Sequence, residues 1–141
     1  MPFVVVGGHA VTFHGHVRAT EDVDIVWLRS PDADRRLVAA LKEVNACWID
    51  SDIDPATGLE RLVQVTDPYV ASKHLLMLVT DYGFLDLFDY VPGLADVTPD
   101  ELAARSVATP DGLRYASLDD LRRMKQASGR PKDMDDLQNL P

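Results

Sequence analysis

At 141 residues, 46% of them hydrophobic, the chain suggests one domain spanning residues 1–141 with a real core. The net charge of −9 argues against broad, non-specific binding to nucleic acid. No apolar run approaches the roughly 20 residues of a membrane helix. Residues 1–8 are too short and uncharged for a signal peptide, and the lone Cys47 forms no internal disulfide, which fits a reducing, cytoplasmic setting.

The elements follow in chain order. Residues 3–6 read as a buried strand ended by Gly7 and Gly8. Residues 9–15 form a short helix closed by Gly15, and Glu21 to Trp27 alternates acid and apolar as a strand does. Ser30, Pro31 and Asp32 open a helix to about Val44, with Leu37, Val38, Leu41 and Val44 on one face. Residues 45–57 are turn-rich and acidic, and 58–65 are ambiguous between helix and strand. His74 to Thr80 and Phe84 to Val91 read as strands of a hairpin turning at Asp81, Tyr82 and Gly83. Thr98 to Glu101 starts a short helix, and Tyr115 with Ala116 is a short extended piece. Ser117 opens a helix to about Ala127, interrupted by Gly129, Arg130 and Pro131, and residues 132–140 make a last helical turn or two. This pattern predicts an α/β (α+β) domain with a small mixed sheet flanked by helices.

Charge is unevenly spread. Residues 105–132 hold seven Lys and Arg against three acids, a net +4, while the remainder has seven bases and twenty acids, a net −13. Such a segment is either a local anion site or a solvated helix face.

The chemistry concentrates near the start. Alternate residues of a strand share a face, so Asp22 and Asp24 sit side by side with Val23 and Ile25 behind them. Two like charges that close repel unless they are solvated, share a proton or hold a cation, and oxygen-rich carboxylate sites suit Mg²⁺ or Mn²⁺. A third acid, Asp86, lies in the apolar stretch FLDLF; Asp89 falls on the opposite face near the strand end, where it is expected to be solvated. Gly7 and Gly8, between a strand and a helix, let backbone N–H groups approach a phosphate. A phosphate cradle beside a metal-binding acid cluster is the arrangement that phosphoryl or nucleotidyl transfer needs.

With VVVGG, DVD and FLDLF in that order, the sequence resembles the nucleotidyltransferase superfamily. The segments HAVTFHGHVRAT and SLDDLRRMKQASGRPKDMDDLQNL are similar to its small bacterial branch, which includes abortive-infection (AbiEii-like) toxin proteins. The resemblance spans residues 3–140. It implies a nucleotidyltransferase-like fold, with Gly7 and Gly8 at the nucleotide phosphates, Asp22, Asp24 and Asp86 as metal ligands, and Asp86 also as base for the incoming hydroxyl. Lys125 would approach the triphosphate, Arg130, Lys132 and Asp133 match the family's terminal motif, and Asp133 would alternatively pair with a base to fix the fold. Arg18 and Thr20, just before the DVD strand, join the nucleotide-binding set, with a loop salt bridge the other reading of Arg18. Two departures stand out. The second motif position is Gly8 rather than Ser, so it offers no hydroxyl, and the chain starts almost inside its first strand, where relatives usually carry a preceding helix. A first strand without that cover would leave a face for a second copy, making a homodimer.

Three histidines, His9, His14 and His16, invite a zinc reading, but no Cys joins them, and His9 and His14 are five apart, off a shared helix face. Trp27 and Trp48 read as packing residues. Three functional expectations follow from the resemblance. The first is transfer of a nucleoside monophosphate from an NTP to a hydroxyl on RNA such as tRNA, on protein or on a small molecule. The second is a toxin–antitoxin component acting mainly through an antitoxin-type partner, and the third is nucleotide binding without turnover.

Overall fold

Fourteen short elements build one mixed sheet with helices on both of its faces in the computed structural model, which describes residues 2–141. The strands are β1 (Phe3–Val6), β2 (Asp22–Trp27), β3 (Cys47–Ile53), β4 (Glu60–Gln64), β5 (Leu75–Thr80), β6 (Gly83–Phe88), β7 (Val107–Ala108) and β8 (Arg114–Tyr115). The helices are α1 (Gly7–Phe13), α2 (Pro31–Glu43), α3 (Asp67–Ala71), α4 (Pro99–Arg105), α5 (Leu118–Ser128) and α6 (Pro131–Asn139). The sheet order is β4-β3-β5-β6-β2-β1-β8-β7. With eight strands it is larger than the small sheet expected. The pairs β2–β6 and β1–β8 are parallel and the others antiparallel.

Local chemistry explains the helix starts. Ser30 accepts from the Ala33 N–H and Ser117 from the Asp120 N–H, so each satisfies a donor that the first helical turn leaves unpaired. Thr98 and Glu101 close a reciprocal capping box on α4. Helix α3 was not foreseen; Thr66 caps it, accepting from the Tyr69 N–H. Gly129 ends α5 at φ +62°, a left-handed conformation that costs glycine nothing sterically, and Pro131 starts α6 on a new axis.

Strands β3 and β4 correct the turn-rich reading of 45–57 and settle 58–65 as largely strand. They pair antiparallel from Cys47↔Gln64 to Asp50↔Arg61, with an irregularity before Ile53↔Glu60. β4 is the sheet edge, and most residues of both strands are exposed. One core lies between the sheet and α2, where Ile25, Trp27, Leu76, Leu78 and Leu87 meet Leu37, Val38 and Leu41. A second covers the other face of β1 and β2, where Val4, Val6 and Val26 meet Leu102 of α4 and Met124 of α5.

The first strand is therefore well protected, against expectation. It pairs on both edges, with β2 and β8, and the C-terminal helices bury Val4 completely. The face that a second copy was expected to cover is filled by this chain's own residues, so the ground for a homodimer disappears. Past β2 that same sheet face has no such cover: Phe84, Met77, Ile49 and Leu62 stand exposed on β6, β5, β3 and β4. Among the described residues no helix is long and apolar enough to cross a membrane.

Candidate functional site

Parallel pairing of β2 with β6 assembles the acids. Asp24 lies directly opposite Asp86, and Asp22 opposite Phe84, so all three carboxylates project from one sheet face. Each can offer an oxygen such that the three lie within 4.8 Å of one another, and all three are half-buried. The expected convergence is present. Burial, then the neighbouring charges of Asp24 and Asp22, pushes the Asp86 carboxyl up to about 6. Burial and then Asp22 also push Asp24 upward, opposed by the positive charges of Lys125, Lys132 and Arg130. The acid cluster thus sits in the field of the basic C-terminal segment.

Around the acids is a cleft of about 350 Å³, at the lower end of the range typical of small-molecule sites. Gly7, Gly8, Arg18, Thr20, Asp22, Asp24, Asp86, Lys125, Arg130 and Lys132 all line it, so every residue singled out for nucleotide or metal contact reaches one space. Phe88, Pro92, Gly93 and Met124 add an apolar wall that the sequence reading missed. Both glycines are required by close approach. Gly7 adopts φ +65°, and a Cβ there would strike the Asp24 carboxylate; a Cβ at Gly8 would strike the Thr20 hydroxyl.

The basic segment lines the cleft, and two of its cations there are already paired. Lys125 is buried, and its Nζ lies 3.1 Å from Asp133 and 3.0 Å from Asp136. Arg130 Nε donates to Asp133 at 2.8 Å, as the pairing alternative for Asp133 anticipated. Arg18 grips Asp136 with two hydrogen bonds, Nε at 2.7 Å and Nη2 at 2.9 Å, which is the loop salt bridge. Burial would raise both aspartates, yet hydrogen bonds from Arg130, Ser128 and Lys125 hold Asp133 far below the ordinary range, and bonds from Arg18 and Lys125 lower Asp136. Three cations around two carboxylates leave one positive charge in the network. Lys132 is exposed at the rim and has no ion-pair partner among the described residues.

Asp136 was missed by sequence reasoning. Its three-residue spacing from Asp133, which puts both on one face of α6, was the available signal. Asp89 is not solvated as expected: it accepts from Arg29 Nη1 at 2.9 Å and pairs with His74 Nδ1 at 2.8 Å, just past the end of β6. The three N-terminal histidines do not gather into a zinc site. His14 donates to the Ala116 carbonyl at 2.7 Å, and His16 lies near Asp135 and Asp136 instead. Trp27 and Trp48 pack as expected, Trp27 in the core and Trp48 stacked on Tyr69. In comparison with known proteins, no family model matches the chain and no curated protein sequence matches it.

Proposed function

We propose that this protein is a metal-dependent nucleotidyltransferase that moves a nucleoside monophosphate from an NTP to a hydroxyl acceptor. The convergence of Asp22, Asp24 and Asp86 on one cleft, floored by Gly7 and Gly8 and rimmed by Arg130 and Lys132, carries this reading. The donor set fits Mg²⁺ or Mn²⁺: three hard oxygen ligands, with Asp24 and Asp86 raised first by burial and then by their mutual repulsion, which a cation relieves. When bound, such an ion supplies charge stabilisation to the phosphate oxygens during an in-line displacement.

The chain's own groups do the rest. Gly7 and Gly8 let the Asp24 carboxylate and the Thr20 hydroxyl close against the backbone at the cleft. Lys132 and the surplus charge of the Arg18–Lys125–Arg130 network favour a polyanion on that side. Asp86 accepts the proton of the acceptor hydroxyl as its oxygen bonds to the α-phosphorus and pyrophosphate departs. The acceptor is an RNA such as tRNA, a protein or a small molecule.

Incubation with each labelled NTP, Mg²⁺ or Mn²⁺, and total tRNA or cell lysate tests the reading and reveals the acceptor. Label should pass to an acceptor with wild type and not with Asp22→Asn, whose fold should persist by circular dichroism. Equal transfer by the variant would remove the acid cluster from the mechanism.

A further inference from the structure

Gly8 and Thr20 compete for the same place in the cleft. A Cβ built on Gly8 would overlap the Thr20 hydroxyl oxygen and lie 3.1 Å and 3.2 Å from the two terminal Arg18 nitrogens. The volume that a side chain at residue 8 would enter is already filled by Oγ1 of Thr20. That oxygen is held in place. Arg18 Nη1 donates to it at 3.1 Å and to the Ala19 carbonyl at 3.0 Å, while the rest of the guanidinium is locked onto the fully buried Asp136.

A threonine hydroxyl has one hydrogen to donate and two lone pairs to accept with. Arg18 takes a lone pair. Among the described residues no acceptor takes the hydrogen, and Thr20 lines the cleft. The result is a hydroxyl whose position is set from behind by a cation and whose hydrogen is left for whatever fills the cleft. Such a donor suits an anionic oxygen, and hydrogen bonds to charged acceptors are the stronger kind.

We infer that Thr20 donates its hydroxyl to a phosphate oxygen of the nucleotide, supplying from the β2 side the contact that glycine at residue 8 cannot make, with Arg18 as the residue that positions it. This rests on the nucleotidyltransferase reading. It also accounts for glycine at residue 8, since any Cβ there would displace the Thr20 hydroxyl.

The test is titration of a fluorescent, non-hydrolysable NTP analogue with Mg²⁺ against wild type, Thr20→Val, Thr20→Ser, Thr20→Ala, Gly8→Ser and the double variant Gly8→Ser/Thr20→Ala, with unfolding midpoints measured in parallel. Thr20→Val keeps the volume and removes the hydroxyl, so affinity should fall on the order of 10- to 100-fold, the worth of one charge-assisted hydrogen bond. Thr20→Ser, which restores the hydroxyl, should recover most of that loss. Gly8→Ser alone should weaken binding through its clash with Thr20. The double variant, with the Thr20 overlap removed, only the 3.1 Å and 3.2 Å approach to the flexible Arg18 end left, and a hydroxyl returned from the other side, should bind more tightly than Thr20→Ala. Wild-type affinity in Thr20→Val, or a double variant no tighter than Thr20→Ala, would overturn the role of Thr20 while leaving the transferase reading intact. Failure of wild type to bind any nucleotide analogue with Mg²⁺ would overturn both.

Discussion

At Asp86 the proposed role as metal ligand and base opposes the stability of the metal-free fold. Its carboxyl is pushed up to about 6 by burial and by the charges of Asp24 and Asp22, so the metal-free folded protein holds this proton more tightly than the unfolded chain does. Protonated Asp86 is the comfortable form. As pH rises from about 4, the unfolded pKa, to about 6, the folded one, this residue withdraws stability from the fold, and above that the cost is fully present. A shift of about two units corresponds to at most about 3 kcal/mol, and for a half-exposed group solvent screening reduces it to about 1–2 kcal/mol. Asp86→Asn in metal-free buffer at pH 7 should therefore be more stable than wild type by that amount in urea unfolding, while transferring no label. A less stable variant would mean that its carboxylate is satisfied in a way the cleft geometry does not suggest.

At the scale of elements, α5 and α6 act together through charges facing inward. Lys125 leaves α5 to meet Asp133 and Asp136 on α6, and Arg18 reaches Asp136 from the loop before β2. Three separate stretches of chain are thereby tied at one buried point beside the cleft. Removing Lys125 leaves Asp133 paired with Arg130 and Asp136 paired with Arg18 but takes one buried donor from each carboxylate, which costs about 1–3 kcal/mol. Lys125→Met, which keeps much of the bulk, should lose that much in urea unfolding at pH 7. The fold should loosen near the Arg18 loop first, visible as faster amide exchange there than in β5. A loss below about 1 kcal/mol would place Lys125 among solvated surface pairs. Because Asp133 and Asp136 are held below the ordinary carboxylate range, the network's stabilisation is complete above pH about 4 and fades as acid protonates them. Lys125 both lines the cleft and ties these two aspartates, so any substitution there disturbs the fold as well as the site.

Over the whole molecule the charge of −9 sets how the proposed nucleotide substrate would arrive. A triphosphate approaching three clustered carboxylates on an acidic body meets repulsion that one surplus positive charge and Lys132 only partly offset. Nucleotide affinity should accordingly depend steeply on the divalent ion. Chelation with EDTA should weaken NTP binding in calorimetry by at least ~10-fold, about 1.4 kcal/mol, and Mg²⁺ alone should bind weakly because the nucleotide phosphates complete its coordination. Tight NTP binding in EDTA would show that the protein's cations suffice and that the acids serve another purpose.

The parts of this protein that depend on near neighbours in the chain are written in its sequence. Alternation in DVDIVW puts Asp22 and Asp24 on one face whatever surrounds them, since a strand's period is two. Ser30, Thr98 and Ser117 mark helix starts because a cap bonds within three residues of itself. Strands β3 and β4 were illegible for the same reason in reverse: exposed at and beside a sheet edge, they show little of the apolar alternation that burial imposes. Only the tertiary structure decided that Asp86 lies opposite Asp24, because that follows from the register of two strands about 60 residues apart. It alone decided that Lys125, while lining the cleft, is paired with two aspartates, which depends on how Gly129 folds α6 back on α5. And it alone set Thr20 against Gly8, where the packing of one loop on another explains an absent side chain that the order of residues could only record.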